Sequence, residues 1–407
     1  MKAKYQNYTS KEDYERAGLK WVVPMTAKEI TDEEEQKRCL RSADFIVEEK
    51  FDGTRATMHF TKNGARIFSR RVSEKTGWFC ENSDSVPQLR DISIPELKGT
   101  VIDGEMFIPN RPFKDVSSTL NCTWDKAVQR QEELGEIVLH AFDIVFYKGL
   151  YVAHLSLLQR KRLLHLVIEA IKSPYVEEVM YFNCADKIYE SVAVDGEPKS
   201  FSAWDYYQHI VKRGGEGVMI KPITGIYEHK RSKAYLKIKK FLTKEVVILA
   251  FDKPTKEYKG KFPNFKDWEY WENESGCLIH NSAKVSLNDI KSGKIYPVSK
   301  FYFNRQVGNI IFGVVFEEND ELTPKLKKQG EFVEHNGKKY LVVGECSGFD
   351  EEQRMQFSKN PEKYLFTTIE VKANEIFKDT GKLRHPRFLR CRFDKNPEDC
   401  TWKNHIE

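Results

Sequence analysis

The residues with the clearest chemical potential lie at 48–55, which read Glu-Glu-Lys-Phe-Asp-Gly-Thr-Arg. Lys50 has a carboxylate two residues away on either side, and Arg55 follows five residues later. An amine becomes a nucleophile only when its pKa is lowered or its proton has an acceptor. Nearby cations or a bound metal would lower that pKa, whereas the carboxylates alone would act in the opposite direction. The pattern therefore predicts a candidate nucleophile at position 50, with an exposed hairpin carrying ordinary surface charges as the alternative.

The sequence around Lys50 also predicts the element that holds it. An apolar run at 45–47 precedes the motif, and an alternating run at 56–60 follows it. This arrangement is typical of two strands joined by a sharp bend, for which Asp-Gly supplies the turn chemistry. We therefore expect the lysine to be held on a rigid element.

Further charged and aromatic motifs follow the Lys-x-Asp-Gly-x-Arg stretch in a fixed order. Transfer of a nucleotidyl group requires an attacking amine, cations on the phosphates, a divalent metal, and a pocket for base and ribose. The series contains residue types suited to each of these tasks. Its members are Ser69-Arg70, Asp103-Gly-Glu105, Phe142-Asp-Ile-Val, Glu216-Gly-Val-Met-Ile-Lys221, Leu236-Lys-Ile-Lys239, and the run from Pro386 to Lys395.

This ordered series resembles the covalent nucleotidyltransferase superfamily and, more closely, the ATP-dependent DNA ligases. The resemblance covers nearly all of residues 45–242 and 306–400. It implies that Lys50 attacks ATP to form a lysyl–AMP phosphoramidate. It also implies ATP and Mg²⁺, or alternatively Mn²⁺, as cofactors, because hard carboxylate oxygens suit a cation that bridges phosphates.

The resemblance assigns nucleotide-binding roles to several side chains in the first half of the chain. Glu48 corresponds to an adenine-side contact, and Phe142 to an aromatic ring that stacks on the base, although buried core is an equal alternative for Phe142. Arg55 and Glu105 would fix the ribose and phosphate side, with an ordinary sheet-edge ion pair as the alternative for either residue. Arg70 would hold the 5′-phosphate of a nick.

The resemblance further assigns phosphate and metal contacts. Glu216 resembles the metal carboxylate, and Glu105 is a possible second metal ligand. Lys237 and Lys239 share one face of a predicted strand and match a pair that grips the α-phosphate, with a solvated strand edge as the alternative. Near the C-terminus, three cations would orient pyrophosphate when a separate domain swings over the pocket. These cations are Arg390, Arg392 and Lys395.

Composition places the chain among globular proteins. The 407 residues are 40% hydrophobic, 13% aromatic and 31% charged, with a formal net charge of +5. This charge is slight, so affinity for a polyanion would have to come from clustered lysines and arginines. Eight cysteines are scattered without a Cys-x-x-Cys pair, which favours reduced thiols over zinc or redox chemistry. No apolar leader or membrane-spanning run is present, which predicts an intracellular, soluble protein. The resemblance to compact ligases implies the cytoplasm of a bacterium or of a virus-infected host cell.

Periodicity and turn residues predict the elements that position these motifs. We expect a short strand at 21–25, a helix opened by a Thr31 capping box, and a helix capped by Ser156 that ends before Pro174. Strands are predicted at 66–71, 100–108, 137–147, 216–221 and 234–239, with a helix at 203–213 that ends at Gly214. Beyond residue 245 lie short β-runs at 246–251, 309–316, 339–344 and 367–371, as in a small barrel.

These elements predict an α+β chain of two domains. Residues 1–243 would form a nucleotidyltransferase (adenylation) domain of antiparallel sheets with flanking helices, and residues 244–407 an OB-fold β-barrel. Residues 253–305 fit no clean period and are interpreted as an insertion in the second domain.

The predicted function is ATP-dependent sealing of 5′-phosphate/3′-hydroxyl nicks in duplex DNA, by a monomer that does not bind membranes. The sequence shows neither the long N-terminal helical region of large cellular ligases nor the zinc domain of NAD-dependent ones, so a compact viral, phage or accessory bacterial type is expected. The insertion is a candidate replacement for a DNA-binding domain. An RNA ligase or mRNA-capping guanylyltransferase, and a non-catalytic nick-binding protein, are the alternatives.

Overall fold

The computed structural model describes residues 8–189, 200–258, 268–280, 285–321 and 323–406. The chain divides into two units, Met1–Lys240 and Phe241–Glu407. In the described ranges, every helix is too short or too polar to cross a membrane.

The first unit combines short helices with many strands. Its helices are α1 (Lys11–Arg16), α2 (Glu33–Cys39), α3 (Pro87–Arg90), α4 (Phe113–Leu120), α5 (Trp124–Leu134), α6 (Leu157–Ile171) and α7 (Ala203–Lys212), with single 3₁₀ turns at Ser83–Ser85 and Pro95–Leu97. Its strands are β1 (Thr26–Glu29), β2 (Phe45–Glu49), β3 (Thr54–Thr61), β4 (Gly64–Val72), β5 (Phe79–Glu81), β6 (Val101–Phe107), β7 (Val138–Tyr147), β8 (Leu150–Tyr151), β9 (Val176–Glu178), β10 (Tyr181–Asn183), β11 (Ile188–Tyr189), β12 (Ser200–Phe201), β13 (Gly217–Pro222) and β14 (Arg231–Lys239).

Two larger sheets organise this unit. The smaller has the order β1-β14-β13-β2-β10, and the larger has the order β5-β4-β3-β6-β7-β8, with β9 also beside β7. Neighbouring strands are antiparallel except for the β1–β14 and β7–β9 pairs. The expected α+β class with antiparallel sheets and flanking helices is confirmed.

Two strands joined by a bend flank Lys50 as predicted, but the bend connects the two sheets, so the alternative of an exposed hairpin is excluded. Strand β2 belongs to the smaller sheet and β3 to the larger one. Gly53 is not among the glycines with positive φ, so turn conformation is not the reason for it. A Cβ atom at Gly53 would instead lie 2.3 Å from the carbonyl oxygen of Met106. Only glycine, which has no Cβ atom, avoids this steric clash. Gly53 is therefore required because the backbone of the bend passes close to the backbone of Met106.

Each sheet has one face packed on helices. Alternate residues of β3, such as Ala56 and Met58, join an apolar cluster with Val116 of α4 and Leu164 of α6. In the smaller sheet, residues such as Val47 pack against α2 and α7. Because side chains alternate along a strand, the intervening residues of β2, β3 and β13 point to the opposite faces. Those faces carry the charged motifs.

The predicted elements near the helix caps are only partly correct. Ser156 caps α6 as predicted, and Gln159 completes a capping box with it. In α2, however, Asp32 rather than Thr31 accepts the capping hydrogen bond, from the amide of Glu35. The strand predicted at 21–25 is wrong, because the strand begins only at Thr26, where β1 pairs with β14.

The second unit is built around one antiparallel sheet. Its helices are α8 (Leu287–Lys291), α9 (Lys300–Phe303), α10 (Pro324–Gln329), α11 (Glu351–Lys359) and α12 (Trp402–Ile406), with 3₁₀ turns at Pro361–Lys363 and Pro397–Asp399. Its strands are β15 (Leu242–Phe251), β16 (Tyr270–Asn273), β17 (Leu278–His280), β18 (Ile295–Pro297), β19 (Ile310–Val315), β20 (Phe332–His335), β21 (Lys338–Cys346), β22 (Thr368–Ala373), β23 (Glu375–Ile376), β24 (Leu383–Arg384) and β25 (Arg387–Cys391).

The strand order of this sheet is β20-β21-β19-β15-β22-β25. A continuous closed barrel is not formed among the described residues. A single parallel bridge, between Ser347 after β21 and Arg387 of β25, joins the two sides instead of a full ladder. The described part of the 253–305 region contains a small sheet of order β17-β16-β18, while 259–267 and 281–284 lie outside the described residues.

Candidate active site

Lys50 lies at the end of β2, where its side chain meets a carboxylate. Its backbone amide donates a 2.9 Å hydrogen bond to the carbonyl oxygen of Gly217. Its Nζ atom forms an ion pair with Glu216, and the same carboxylate pairs with Lys239. The side chains of Lys50 and Glu216 are 21% and 14% exposed, so the cluster is shielded but reachable from solvent.

The local backbone explains why these three side chains meet. Gly217 pairs with Lys239 across β13 and β14, while its carbonyl holds the amide of Lys50. A Cβ at Gly217 would lie 2.1 Å from the carbonyl oxygen of Ile238, and its φ of +141° also favours glycine. The glycine after Glu216 therefore lets three backbone segments converge, which places the carboxylate between two lysines.

Arg55 and Glu105 sit opposite each other on β3 and β6 of the larger sheet. Two guanidinium nitrogens of Arg55 donate to the carboxylate of Asp103, each at 2.6 Å. The hydroxyl of Tyr227 donates to the same carboxylate. Arg55 is thus held in one orientation by a fork-shaped pair, the geometry in which arginine is most specific.

The carboxyl of Glu105 carries a perturbed pKa. Burial raises the pKa of Glu105 to about 7, and the like charge of Glu216 acts in the same direction. The charges of Lys50 and Arg55 oppose this increase. Glu105 and Glu216 therefore influence the same space beside the lysine.

The donor set fits a magnesium ion that is completed by other ligands. In the described part of the chain, no group of three histidine, cysteine or acidic residues could enclose a metal by itself. Mg²⁺, however, is usually bound by one or two carboxylates together with waters and substrate phosphates. A cation near Glu105 would relieve the electrostatic cost that raises its pKa. Glu105 and Glu216 are suited to hold it.

Lys237 and Lys239 project from the same face of β14, as expected. The Nζ atom of Lys237 is 3.6 Å from the carboxylate of Glu29. Burial and the neighbouring charge of Lys239 lower the pKa of Lys237. The two lysines add positive charge beside Lys50, whose own charge also lowers the pKa of Lys237.

Glu48 is buried rather than open to the cleft, with 1% of its surface exposed. Its two carboxylate oxygens pair with Lys161 and Lys221, each at 2.5 Å. Burial lowers the pKa of Lys221 to about 8, although Glu48 favours its charged form. Glu48 therefore lies in an ion-paired layer beneath the surface, and its adenine contact stays a prediction.

Phe142 belongs to the same layer. The guanidinium of Arg55 lies 4.3 Å from the centre of its ring, and the ammonium of Lys221 lies 4.7 Å away. Such distances are typical of cation–π contacts. The ring is half-buried and held by cations, and base stacking on it also stays a prediction.

Sequence reasoning missed the buried polar residues that support this layer. Lys161 and Arg160 lie on α6, and Arg160 pairs with Asp143 at 2.7 Å. Asp143 lies directly across from Asp103 on the neighbouring strand. A signal was present, because positions 160 and 161 interrupt the apolar stripe of α6 between Leu157 and Leu164.

Arg70 is exposed near the end of β4 and is not part of the Lys50 cluster. The preceding residue, Ser69, pairs with Ala56 of β3. This register puts Arg70 on the strand beside Arg55, at the end of the larger sheet that also carries Glu105.

The predicted pyrophosphate contacts group together in the second unit. Arg390 pairs with Glu370 at 2.6 Å, and Arg392 pairs with Glu245 at 2.7 Å. Lys395 lies 3.7 Å from the same Glu245 carboxylate. Acidic residues of the same unit thus partly neutralise the positive charge of these three side chains.

Comparisons with known proteins identify the family of the chain. Residues 24–239 match the model of the ATP dependent DNA ligase domain. DNA ligase 2 of Methanosarcina mazei is 25% identical over 364 residues, which are 87% of this chain and 52% of that protein. The DNA ligase of Archaeoglobus fulgidus is 24% identical over 369 residues, covering 89% and 54% respectively. The chain belongs to the family of the ATP-dependent DNA ligase domain.

A solved structure supports the fold. A structure from a study of Lig E DNA ligases aligns with a TM-score of 0.50 at 18% identity, covering 91% of this chain and 98% of that one. The chain spans about half the length of the curated relatives it matches.

Proposed function

We propose that the protein seals nicks in duplex DNA with ATP, through a lysyl–AMP intermediate on Lys50. The observation that carries this proposal is the cluster in which Glu216 contacts both Lys50 and Lys239. An amine suited to act as the nucleophile, a second lysine suited to bind phosphate and a carboxylate suited to a metal lie together there, on a chain of the ligase family.

In the first step, the amine of Lys50 attacks the α-phosphorus of ATP and pyrophosphate leaves. Glu216 holds the lysine in place and is the nearest acceptor for its proton. Lys237 and Lys239 neutralise charge that develops on the α-phosphate, which is the main contribution a protein makes to phosphoryl chemistry. Arg55, fixed by Asp103, orients the ribose and phosphate side of the nucleotide.

A bound magnesium ion, or manganese in its place, would neutralise phosphate charge next to Glu105 and Glu216. Glu216, the carboxylate that pairs with Lys50, is one of the proposed ligands of this ion. Glu48 and Phe142 would define the base side of the pocket, as the family resemblance implies.

In the later steps, AMP passes from Lys50 to the 5′-phosphate of the nick, and the 3′-hydroxyl then displaces AMP. Arg70 contacts the 5′-phosphate in this proposal. Arg390, Arg392 and Lys395 contact pyrophosphate in the first step, as motif resemblance implies. The protein acts as a monomer on nicked duplex DNA, within the cytoplasm of a bacterium or of an infected host cell.

Substrate choice separates this proposal from an RNA ligase or a capping guanylyltransferase. The protein is incubated with ATP or GTP labelled at the α-phosphate and then offered nicked DNA or nicked RNA. We expect stable labelling from ATP alone and sealing of nicked DNA. Labelling from GTP, or sealing of RNA only, would support an alternative.

A non-catalytic nick-binding protein is the other alternative. The Lys50→Ala variant should bind nicked DNA with affinity near that of the wild type but seal none. A Lys50→Ala protein that seals nicks as rapidly as the wild type would rule out Lys50 as the nucleophile.

A further inference from the structure

A cavity of about 930 Å³ lies at the end of β3 remote from Lys50. Its walls come from α1 and the loop after it, from the β3–β4 turn, and from residues 98–101. His59 lines it and shares a face of β3 with Arg55, because side chains alternate along a strand. At about 3.4 Å per residue, the length of β3 separates the two ends by roughly 25 Å.

The lining of this cavity is cationic, with five basic side chains and one carboxylate. Two of these cations are compensated, since Arg66 pairs with Glu81 and Arg16 with Asp13. The other three have no carboxylate within 4.0 Å in the described ranges of the chain. These three are Lys20, Lys62 and Lys98.

His59, which lines the cavity, also has a ring nitrogen whose hydrogen-bonding capacity is not met by the described part of the chain. The residue is 3% exposed, and its Nε2 atom lies 3.0 Å from the hydroxyl oxygen of Thr57. Its Nδ1 atom is buried and has no hydrogen-bond partner among the described residues. A buried polar atom without a partner costs about 1–3 kcal/mol, so such atoms usually meet a ligand or an ordered water.

The chemistry of the lining favours a polyanion over a small apolar molecule. Small-molecule pockets are mostly hydrophobic with a few polar groups, whereas this cavity is lined mainly by charged and polar residues. Three uncompensated ammonium groups suit the regularly spaced charges of a nucleic acid backbone.

We propose that this cavity binds the phosphate backbone of the DNA substrate, away from the nick. The inference rests on the proposed function. Since phosphates repeat every 3.4 Å along a strand, a separation of roughly 25 Å corresponds to about seven base pairs. The cavity thus acts as a second anchor for one arm of the nicked duplex.

The test compares nicked duplexes whose arms are about 20 or about five base pairs long. The double variant Lys62→Glu/Lys98→Glu should bind the long duplex at least tenfold more weakly than the wild type. The slope of log affinity against log salt should fall by about two, one for each lost phosphate contact. Binding of the short duplex should not change, because its arms do not reach the cavity.

Two controls keep the outcome interpretable. Lys126→Glu makes the same type of substitution, with half the charge change of the double variant, at an exposed position on α5, which belongs to the helical side of the larger sheet, and should leave both affinities unchanged. The neutral variant Lys62→Ala/Lys98→Ala should show the same arm-length dependence with a smaller loss, even if charge reversal impairs folding.

Unchanged long-arm affinity and salt slope in both double variants would overturn this inference. Loss of short-arm affinity to the same extent would also overturn it, since the lysines would then act near the nick. Saturable binding of inorganic phosphate that the substitutions abolish, with DNA affinity unaltered, would assign the cavity to a free anion instead. Labelling of the variants with ATP tests the proposed function separately, because Lys50 is untouched.

Discussion

At the scale of single residues, the central feature is one carboxylate shared by two lysines. Glu216 contacts Lys50 and Lys239, while Glu105 faces the same space with a pKa raised by burial to about 7. A shared carboxylate fixes the position of the amine and offers an acceptor for its proton. Reactivity at Lys50 therefore depends on Glu216 more than on the acids adjacent in sequence.

Replacing Glu216 tests this dependence. Glu216→Gln keeps the size of the side chain but removes its charge, so we expect the rate of lysyl–AMP formation to fall about 100-fold or more. The matched control is Glu49→Gln, because Glu49 is next to Lys50 in sequence but pairs with Arg213. Single-turnover labelling with ATP gives both rates, and equal losses in the two variants would contradict the assignment.

The burial of His405 leads us to expect that the second unit becomes less stable in acid. The ring is 2% exposed, and burial lowers its pKa from 6.5 to about 4. Between these two pKa values the unfolded chain binds more protons than the folded chain. The contribution of His405 to stability is therefore fully present above pH 6.5 and is lost as the pH decreases toward 4. The contribution of this one group has a slope of about 1.4 kcal/mol per pH unit.

The variant His405→Gln should flatten this dependence, because an amide can still donate to the carbonyl of Gly381 without titrating. Urea denaturation at pH 7 and pH 5 measures the effect. His385→Asn, at an exposed position, serves as the control and should keep the wild-type slope. An unaltered slope in His405→Gln would show that other groups dominate.

At the scale of elements, a buried ion pair connects helix α6 to strand β2. Lys161 reaches Glu48 at 2.5 Å, and Lys221 of β13 holds the other oxygen of the carboxylate. A buried ion pair of this kind adds little stability compared with a pair of apolar residues. Loss of one partner is nevertheless destabilising, because it leaves a buried charge without a counter-charge. The helix therefore supports the strand that directly precedes Lys50.

Removing that buried cation should destabilise the first unit. Lys161→Met is expected to lower the free energy of unfolding by about 3 kcal/mol, and Lys161→Arg should recover much of the loss. Arg162→Met changes an exposed residue on the same helix and should cost far less. Urea denaturation compares the three proteins, and similar stabilities would contradict a structural role for the Lys161–Glu48 pair.

The sequence was informative where a local rule decides the structure. Ser156 caps α6 because the capping box is a short-range pattern, and the strands with long apolar runs were placed to within a few residues. The role of Gly53 could not be predicted, because the carbonyl it accommodates belongs to Met106 in a different part of the sequence. Lys161 was missed for the same reason, since its partner Glu48 is distant along the chain.

At the scale of the whole molecule, the chain has one unit for each set of proposed phosphate contacts. The first unit carries Lys50 together with Lys237 and Lys239. The second unit carries Arg390, Arg392 and Lys395 beside acidic partners. If these cations act only on pyrophosphate, their loss should affect the first chemical step and spare the last.

The double variant Arg390→Ala/Arg392→Ala tests that division. We expect at least a tenfold slower reaction with ATP, because phosphate-binding cations stabilise developing charge. Sealing of a nick that already carries AMP on its 5′-phosphate should proceed at the wild-type rate. Arg387→Ala alters an arginine of the same strand and should leave both steps unchanged. Equal loss of both steps in the double variant would contradict the proposed role in the first.

The most direct measurement is identification of the residue that carries AMP. The protein is incubated with ATP and magnesium, digested at a pH that preserves phosphoramidates, and its peptides are analysed by mass spectrometry. We expect a single AMP adduct on Lys50, which disappears when pyrophosphate is added. An adduct on another residue, or complete absence of an adduct under conditions where nicks are sealed, would contradict it.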